Sequence, residues 1–143
     1  MARIKIDLPE KCIAVCTIPV RITDVNYGNH VGNNSLVEIL HEARMQFLQQ
    51  HNFTEMEAGG TSLIMNELVV EFKNEAFYKD FLTVRIFAGE ISKVGFEIFY
   101  SISTIRDTIP VLIAHAKTGM VCFNYKEKKV EVVPGELKKM LSD

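Results

Sequence analysis

The stretch that decides the fold is Arg21–Leu48, RITDVNYGNHVGNNSLVEILHEARMQFL. In its second half, apolar residues recur every three or four positions, at Leu36, Leu40, Ala43 and Phe47. This period places them on one stripe of an α-helix. The pattern predicts a helix of about eighteen residues that is capped by Asn33 or Asn34 and ends near Asn52.

The first half of the same stretch is unusually polar for a turn. Between Arg21 and Asn34 it holds Asp24, Asn26, Asn29, His30, Asn33 and Asn34. A loop needs a few amides and glycines for its geometry. It rarely needs a histidine among several amides and a carboxylate, so this loop is the candidate site.

The flanking segments predict β-strands. Apolar and polar residues alternate over Lys11–Ile22, which is typical of a strand. Four further strands are predicted after the helix, at Leu63–Phe72, Phe81–Ile91, Val94–Ser103 and Val111–Phe123. Their short connections favour antiparallel neighbours, and a last short helix is predicted from Pro134.

This order of elements predicts an α+β fold, with the long central helix packed against an antiparallel sheet of about five strands. One helix cannot cover that many long apolar strands. We therefore expect an oligomer, a homodimer or a homotetramer, in which sheet edges pair.

Composition and charge narrow the class of protein. The chain is 48% apolar and 24% charged, with a formal net charge of −2. We expect a single domain over residues 1–143, with neither nucleic acid nor a membrane as partner. The three cysteines and the lack of a signal-peptide pattern predict buried free thiols and a cytoplasmic location. The sequence contains neither a Cys-x-x-Cys nor a His-x-x-x-His pair, so its pattern does not predict a metal site.

The polar loop and the helix carry a resemblance to a known family. The family pattern Asp-x-Asp, turn, His-Val-x-Asn, and later Glu-x-Arg, is matched at Asp24, Asn26, His30, Asn33, Glu42 and Arg44. In these residues the chain resembles the hotdog-fold acyl-thioester hydrolases, both the 4-hydroxybenzoyl-CoA thioesterase-like group and the plant acyl-ACP thioesterases. The resemblance implies the hotdog fold, hydrolysis of an acyl thioester of coenzyme A (CoA) or of acyl carrier protein, and sites between subunits. It implies no cofactor, since CoA is part of the substrate.

The resemblance places Asn26 where the family has its catalytic carboxylate. An amide can hold a water molecule but cannot accept a proton near pH 7, so another residue must activate that water. The candidates are Asp24, Glu42 and His30. Each residue also has a structural alternative. Asn26 could form an Asx-type turn, Asp24 could bond loop amides or pair with Arg44, His30 could brace the loop, and Glu42 could form an ion pair.

Substrate-binding residues are expected at the start of the helix. The first N–H groups of a helix lack intrahelical acceptors. With the resemblance, this implies that the amides from Val31 to Ser35 form an oxyanion hole for the thioester oxygen. The alternative is an ordinary helix start that is capped by Asn33 or Asn34. Gly32 allows close approach of the backbone, and Asn33 completes the motif. Tyr27 is a weaker candidate, because packing or a surface position explains it better than a role in the site.

For the phosphates of CoA or of a carrier protein, the resemblance favours Lys93, with Lys117 and Arg85 as weaker alternatives. Two other functions fit the same motif. One is a non-catalytic acyl-thioester-binding protein that has lost its carboxylate. The other is a hydroxyacyl-thioester dehydratase, which needs a histidine with a matched acid.

Overall fold

The computed structural model describes residues 3–143, which fold into one sheet and two helices. The strands are β1 (Cys12–Pro19), β2 (Ser62–Phe72), β3 (Phe81–Ile91), β4 (Gly95–Arg106), β5 (Ile109–Asn124) and β6 (Lys129–Val130). The helices are α1 (Asn33–Gln50) and α2 (Gly135–Ser142), with a 3₁₀ turn at Ile22–Asp24. This confirms the predicted α+β layout, its long helix and its five main strands.

The sheet is antiparallel throughout, in the order β1-β3-β4-β5-β2, and β6 pairs with β5. Strands β1 and β2 are therefore its two edges. We call the end where β1, β2 and β4 finish the loop end, and the end that carries the β3–β4 and β5–β6 turns the hairpin end. Helix α1 starts beside the loop end, because Val31 donates to the carbonyl of Ala76 in the β2–β3 loop (2.8 Å).

Helix α1 covers the sheet with the predicted stripe. Leu36, Leu40, Ala43 and Phe47 are all buried. Burying each large side chain contributes about 1.5–3 kcal/mol, so this stripe orients the helix. Along β4, buried residues alternate with partly exposed ones. Ile98, Tyr100 and Ile102 are fully buried beneath the helix.

Three local predictions were wrong. Strand β1 ends at Pro19 and not at Ile22, which is 64% exposed, because the chain turns into the 3₁₀ segment. The N-cap is Gly32, without a side-chain bond, and Asn33 is already helical. Cys12 is exposed although all three cysteines were expected to be buried. Within residues 3–143, no helix has the length and apolarity needed to cross a membrane.

Candidate functional site

The polar loop is a tight hairpin that displays Asn26 and His30. Val25 and Val31 form an isolated antiparallel bridge, and the Asn26 N–H donates to the His30 carbonyl (2.9 Å). The Asn26 side chain is exposed, and its Oδ1 accepts the Gly28 N–H (2.9 Å). The predicted Asx turn is therefore present. A Cβ on Gly28 would lie 3.1 Å from the His30 ring, so glycine makes room for that ring.

The start of α1 offers fewer free amides than predicted. The Val31 N–H is bonded to Ala76, and the Gly32 N–H donates to the Asp24 carbonyl (3.1 Å). Both amides are committed, which corrects the expectation that they bind a thioester. In the described chain no acceptor lies within hydrogen-bond range of the N–H groups from Asn33 to Ser35. These three donors, at the positive end of the helix dipole, are the ones available to an oxyanion.

His30 and Asn33, the first of these three residues, line a cavity of about 230 Å³ between the start of α1 and the β2–β3 loop. Apolar side chains of Leu36, Phe72 and Ile113 line part of it. The His30 side chain is 31% exposed, and its Nε2 lies 4.0 Å from Glu75 Oε1. Its Nδ1 lies 3.1 Å from the Val31 carbonyl. Because a carbonyl only accepts, the tautomer that fits this contact carries its proton on Nδ1 and leaves Nε2 as an acceptor.

Glu75 was missed by the sequence analysis, which treated its segment only as a connection. Its backbone carbonyl accepts a hydrogen bond from Arg106 Nη2 (2.7 Å). The same guanidinium pairs with Asp80 (2.6 Å), so Arg106 holds the β2–β3 loop at both Glu75 and Asp80. Burial alone raises the pKa of Asp80, but hydrogen bonds from Arg106 and the Phe77 N–H lower it below its ordinary value. The only sequence signal for Glu75 was its position just after β2.

Asp24 is buried and committed to other groups. It is 3% exposed, and its Oδ2 accepts the Arg21 N–H (2.8 Å) while Oδ1 pairs with Arg21 Nη2 (3.2 Å). The suggested partner Arg44 instead bonds Glu55 (2.9 Å) and Tyr100 (3.1 Å). The predicted pairing of Asp24 with Arg44 is therefore wrong. As a candidate base, Asp24 lacks a free oxygen directed at His30.

Glu42 lies in a different groove. It lines a cleft of about 370 Å³ between α1 and β1, together with Glu38, His41 and Asp24. The His30 cavity shares none of these residues. Glu42 is exposed, accepts a bond from Gln46 (2.8 Å), and makes no ion pair within residues 3–143. The structure therefore does not bring Glu42 to the motif histidine.

The remaining predicted contacts are also apart from the cavity. Tyr27 is fully exposed at the loop tip. Lys93 lies in the β3–β4 turn at the hairpin end, about 30 Å or more from the loop end by strand length. Lys117 is paired with Glu67 (2.9 Å) and Glu97 (3.3 Å) on the sheet face away from α1. Within one chain, none of these three residues lines the His30 cavity.

No metal site accompanies the cavity in the part of the chain that the structure describes. No group of three or more His, Cys, Asp or Glu side chains there is placed to hold an ion. The groups that line the cavity include the His30 imidazole, the Glu75 carboxylate and Asn33 at the amide-rich start of α1. This set can polarise a carbonyl and accept a proton from water.

Solved structures of thioesterases share this fold. The 1,4-dihydroxy-2-naphthoyl-CoA thioesterase of Synechocystis superposes with a TM-score of 0.80 at 23% identity, over 90% of this chain and 95% of that one. The probable thioesterase YbaW of Escherichia coli gives 0.73 at 23% identity, over 89% and 95%. The gentisyl-coenzyme A thioesterase BH1999 gives 0.76 at 18% identity, over 90% and 99%. A search of curated proteins finds no match.

The sequence itself matches a family model. The model of the thioesterase-like superfamily aligns with residues 20–141, which include the polar loop, α1 and all strands after it. A match of that length assigns the family, and the sheet with its long helix is the fold that the resemblance implied. The chain therefore belongs to the thioesterase-like superfamily, a family of thioester hydrolases, and has the hotdog fold.

Proposed function

We propose that the protein hydrolyses an acyl-CoA thioester in the His30 cavity. One observation carries the proposal: the cavity is lined by the His30 imidazole, by Glu75 and by Asn33, the first of three unbonded amides at the start of α1. Hydrolysis needs a polarised carbonyl, an activated water and a protonated leaving group. Each of these has a group in place.

In this mechanism the thioester oxygen accepts N–H bonds from the Asn33–Ser35 amides. One such donor contributes about 3 kcal/mol to the transition state. Water held by the Asn26 amide loses a proton to His30 Nε2 as its oxygen bonds to the carbonyl carbon. The tetrahedral intermediate then expels the thiolate as the C–S bond breaks. His30 returns the proton to the sulfur, giving free acid and thiol.

Glu75 supplies the negative charge that Asn26 lacks. When Nε2 takes up a proton, the imidazolium and the Glu75 carboxylate are about 4 Å apart and form an ion pair. A general base typically contributes 10²- to 10⁴-fold in rate. The proposal thus assigns base function to His30 with Glu75. Asp24 is bound to Arg21, and Glu42 lies in the other groove.

A second copy of the chain is part of the proposal. The inward side of edge strand β2 leaves Leu68 and Phe72 substantially exposed, at 37% and 45%, and its outer edge has no strand partner within residues 3–143. An unpaired apolar edge of 11 residues is suited to pairing with another chain. We therefore propose a homodimer that joins β2 to β2, in line with the edge pairing expected from strands that one helix cannot cover.

The substrate is proposed from two of the structural relatives. Both the naphthoyl-CoA and the gentisyl-CoA enzyme act, by their names, on aromatic acyl-CoA thioesters. The apolar wall of the cavity includes Phe72 and Leu36, and an aromatic acyl group can pack against it. Aromatic acyl-CoA compounds therefore head the substrate panel, with straight-chain acyl-CoA and acyl carrier protein thioesters beside them.

The test is release of free thiol, followed with a chromogenic thiol reagent and corrected for the protein's own cysteines. Wild type is compared with His30→Ala, Glu75→Gln and Asn26→Ala, with Glu42→Gln as the matched carboxylate control. We expect turnover to fall at least tenfold in His30→Ala and Glu75→Gln and to stay unchanged in Glu42→Gln. An equal loss of turnover in Glu42→Gln would contradict the proposal that the active site lies in the His30 cavity.

The non-catalytic alternative is favoured by one observation, the amide at position 26 with its oxygen used in a turn. It predicts tight binding of acyl-CoA without thiol release by wild type. Asn26→Asp would then release thiol, because Asp can keep the turn bond and add a carboxylate. The same assay separates the two functions.

A further inference from the structure

We infer that Arg106, the last residue of β4, is a positioning residue for hydrolysis, because it fixes the β2–β3 loop with the Glu75 carboxylate beside His30. The inference rests on the proposed function, in which His30 and Glu75 act together as the base. Arg106 does not line the His30 cavity. It therefore acts on the reaction through the loop and not through a contact with the substrate.

The Glu75 carboxylate has no side-chain bond that would hold it in place. Within residues 3–143 it accepts no hydrogen bond, its side chain is 62% exposed, and its Oε1 lies 4.0 Å from His30 Nε2. That distance is longer than a hydrogen bond, and an ion pair at so exposed a carboxylate is weak. The position of the carboxylate is therefore set by the backbone of the loop that carries it.

The guanidinium of Arg106 holds this backbone at two points and packs on the chain between them. Its Nη2 donates to the Glu75 carbonyl (2.7 Å) and to Asp80 Oδ2 (2.6 Å). The guanidinium carbon lies 4.7 Å from the centre of the Phe77 ring, within the range of a cation–π contact. Residues 75–80 are thus tied together by one side chain of β4, and Glu75 is held at its own carbonyl.

Arg106 is itself placed by a tight hairpin. It pairs with Ile109 across the turn that joins β4 to β5. The two residues between them, Asp107 and Thr108, have left-handed backbones (φ 50° and 66°). Two successive left-handed residues are typical of a type I′ turn, whose twist matches that of the strands it connects. The register of β4 and β5 therefore decides where the guanidinium lies.

The loop keeps a second attachment when Arg106 is changed. The Ala76 carbonyl accepts the Val31 N–H (2.8 Å), which joins the loop to the residue after His30. The walls of the cavity are therefore expected to persist without the guanidinium, so that substrate still binds. The Glu75 peptide, however, loses the donor that fixes its carbonyl, and the carboxylate is no longer held beside the imidazole.

Lysine at this position separates charge from geometry. A guanidinium is planar and presents several N–H donors in fixed directions, whereas an ammonium group is a compact point charge. Arg106→Lys is therefore expected to keep the ion pair with Asp80 and to lose the bond to the Glu75 carbonyl. This variant tests the position of Glu75 with the loop still neutralised.

The first test measures kcat and KM for thiol release in Arg106→Lys, Glu75→Gln and the double variant. We expect kcat to fall about tenfold in Arg106→Lys, with KM unchanged. In the Glu75→Gln background the same change should cause no further fall, because its effect passes through the Glu75 carboxylate. The matched control is Arg3→Lys, an exposed residue ahead of β1. Wild-type kcat in Arg106→Lys, or losses that multiply in the double variant, overturn the inference.

A folding measurement distinguishes a loss of position from a loss of folded protein. Urea denaturation followed by circular dichroism gives the folded fraction of each variant under the assay conditions, and kcat is expressed per folded molecule. We expect the tenfold loss in Arg106→Lys to remain after this correction. A loss that disappears with the correction overturns the inference, because it would reflect stability alone.

Amide hydrogen exchange separates failure of this inference from failure of the proposed function. If wild type hydrolyses no thioester, hydrolysis fails as a function, and exchange measured by NMR still tests whether Arg106 holds the loop. We expect the Val31 N–H, bonded to the loop, to exchange about tenfold faster in Arg106→Lys than in wild type. The Leu36 N–H, bonded within α1 to the Gly32 carbonyl, should exchange equally in both. Equal exchange at Val31 in the two proteins overturns the positioning role.

Discussion

Replacing Arg44 with Met should destabilise the fold by about 3 kcal/mol. Arg44 is 5% exposed and crosses from α1 into the core. Its Nε donates to Glu55 (2.9 Å) and its Nη1 to the Tyr100 hydroxyl (3.1 Å), which is 2.7 Å from Thr118 Oγ1. Burial lowers the pKa of Arg44, but Tyr100 and Glu55 raise it overall, so the guanidinium stays charged.

The magnitude follows from what the substitution leaves behind. Removing one partner of a buried pair costs about 3–5 kcal/mol. The low end applies because the Glu55 side chain is 20% exposed and keeps its contact with His41. Burial raises the pKa of the Tyr100 phenol, so its hydroxyl stays neutral. Tyr100→Phe removes this neutral hydroxyl and leaves its partners Arg44 and Thr118 without that hydrogen bond. The substitution should therefore destabilise the fold by about 1–2 kcal/mol.

Urea denaturation followed by circular dichroism gives the free energy of unfolding for each variant. Glu42→Gln, an exposed change on the same helix, is the control and should lie within about 0.5 kcal/mol of wild type. A cost below about 1 kcal/mol for Arg44→Met would refute the reasoning. It would mean that apolar packing replaces the ion pair without loss, as happens in some proteins.

Three further predictions, two substitutions and one labelling experiment, test other parts of the structure. The pKa of Asp80 is lowered in the folded state from its ordinary value of 3.8. The pairing of Asp80 with Arg106 therefore stabilises the fold fully above about pH 3.8, and this stabilisation is lost as the pH falls through the lower pKa of the folded state. Asp80→Asn should therefore flatten the acid limb of a stability–pH curve, and an unchanged limb would contradict this. Gly28→Ala should push the His30 ring aside and lower kcat about tenfold with unfolding little changed, whereas full activity would show that the ring can adjust. A thiol reagent should modify exposed Cys12 rapidly, but Cys122, buried and with a pKa raised to about 11, only on unfolding. Fast labelling of both in mass spectra would argue against that core position.

The sequence predicts most of the fold because one buried face constrains each element. The stripe through Leu36 and Phe47 fixes the side of α1 that meets the sheet, and the alternation in β4 does the same for a strand. The element ends follow from local bonds, which periodicity does not contain. Strand β1 stops at Pro19 because the next residues bond Asp80 and form a 3₁₀ turn. The helix cap is Gly32, because the backbone changes from extended at Gly32 to helical at Asn33 and no side-chain hydrogen bond marks the change.

The candidate site is only partly predictable, and the reason is distance along the chain. Asn26 and His30 were found together because one loop contains both. Glu75 lies 45 residues beyond His30 in sequence, and their contact depends on the β2–β5 register and on the Val31–Ala76 bond. Glu42 was a candidate because the resemblance matches it to the Glu-x-Arg of the central helix, and the helix period puts it on a flank of the apolar stripe. Only the packing of α1 against β1 decides which groove that flank faces.

The availability of each carboxylate explains how a chain with Asn26 can keep the chemistry of its family. A base needs an acceptor atom that structural bonds have not already taken. Asp24 is buried and bonded to Arg21, and Glu42 faces another cleft. Glu75 makes no side-chain hydrogen bond within residues 3–143, is 62% exposed and lies beside His30. In the proposed mechanism the negative charge next to the imidazole therefore comes from the β2–β3 loop, and Asn26 positions water.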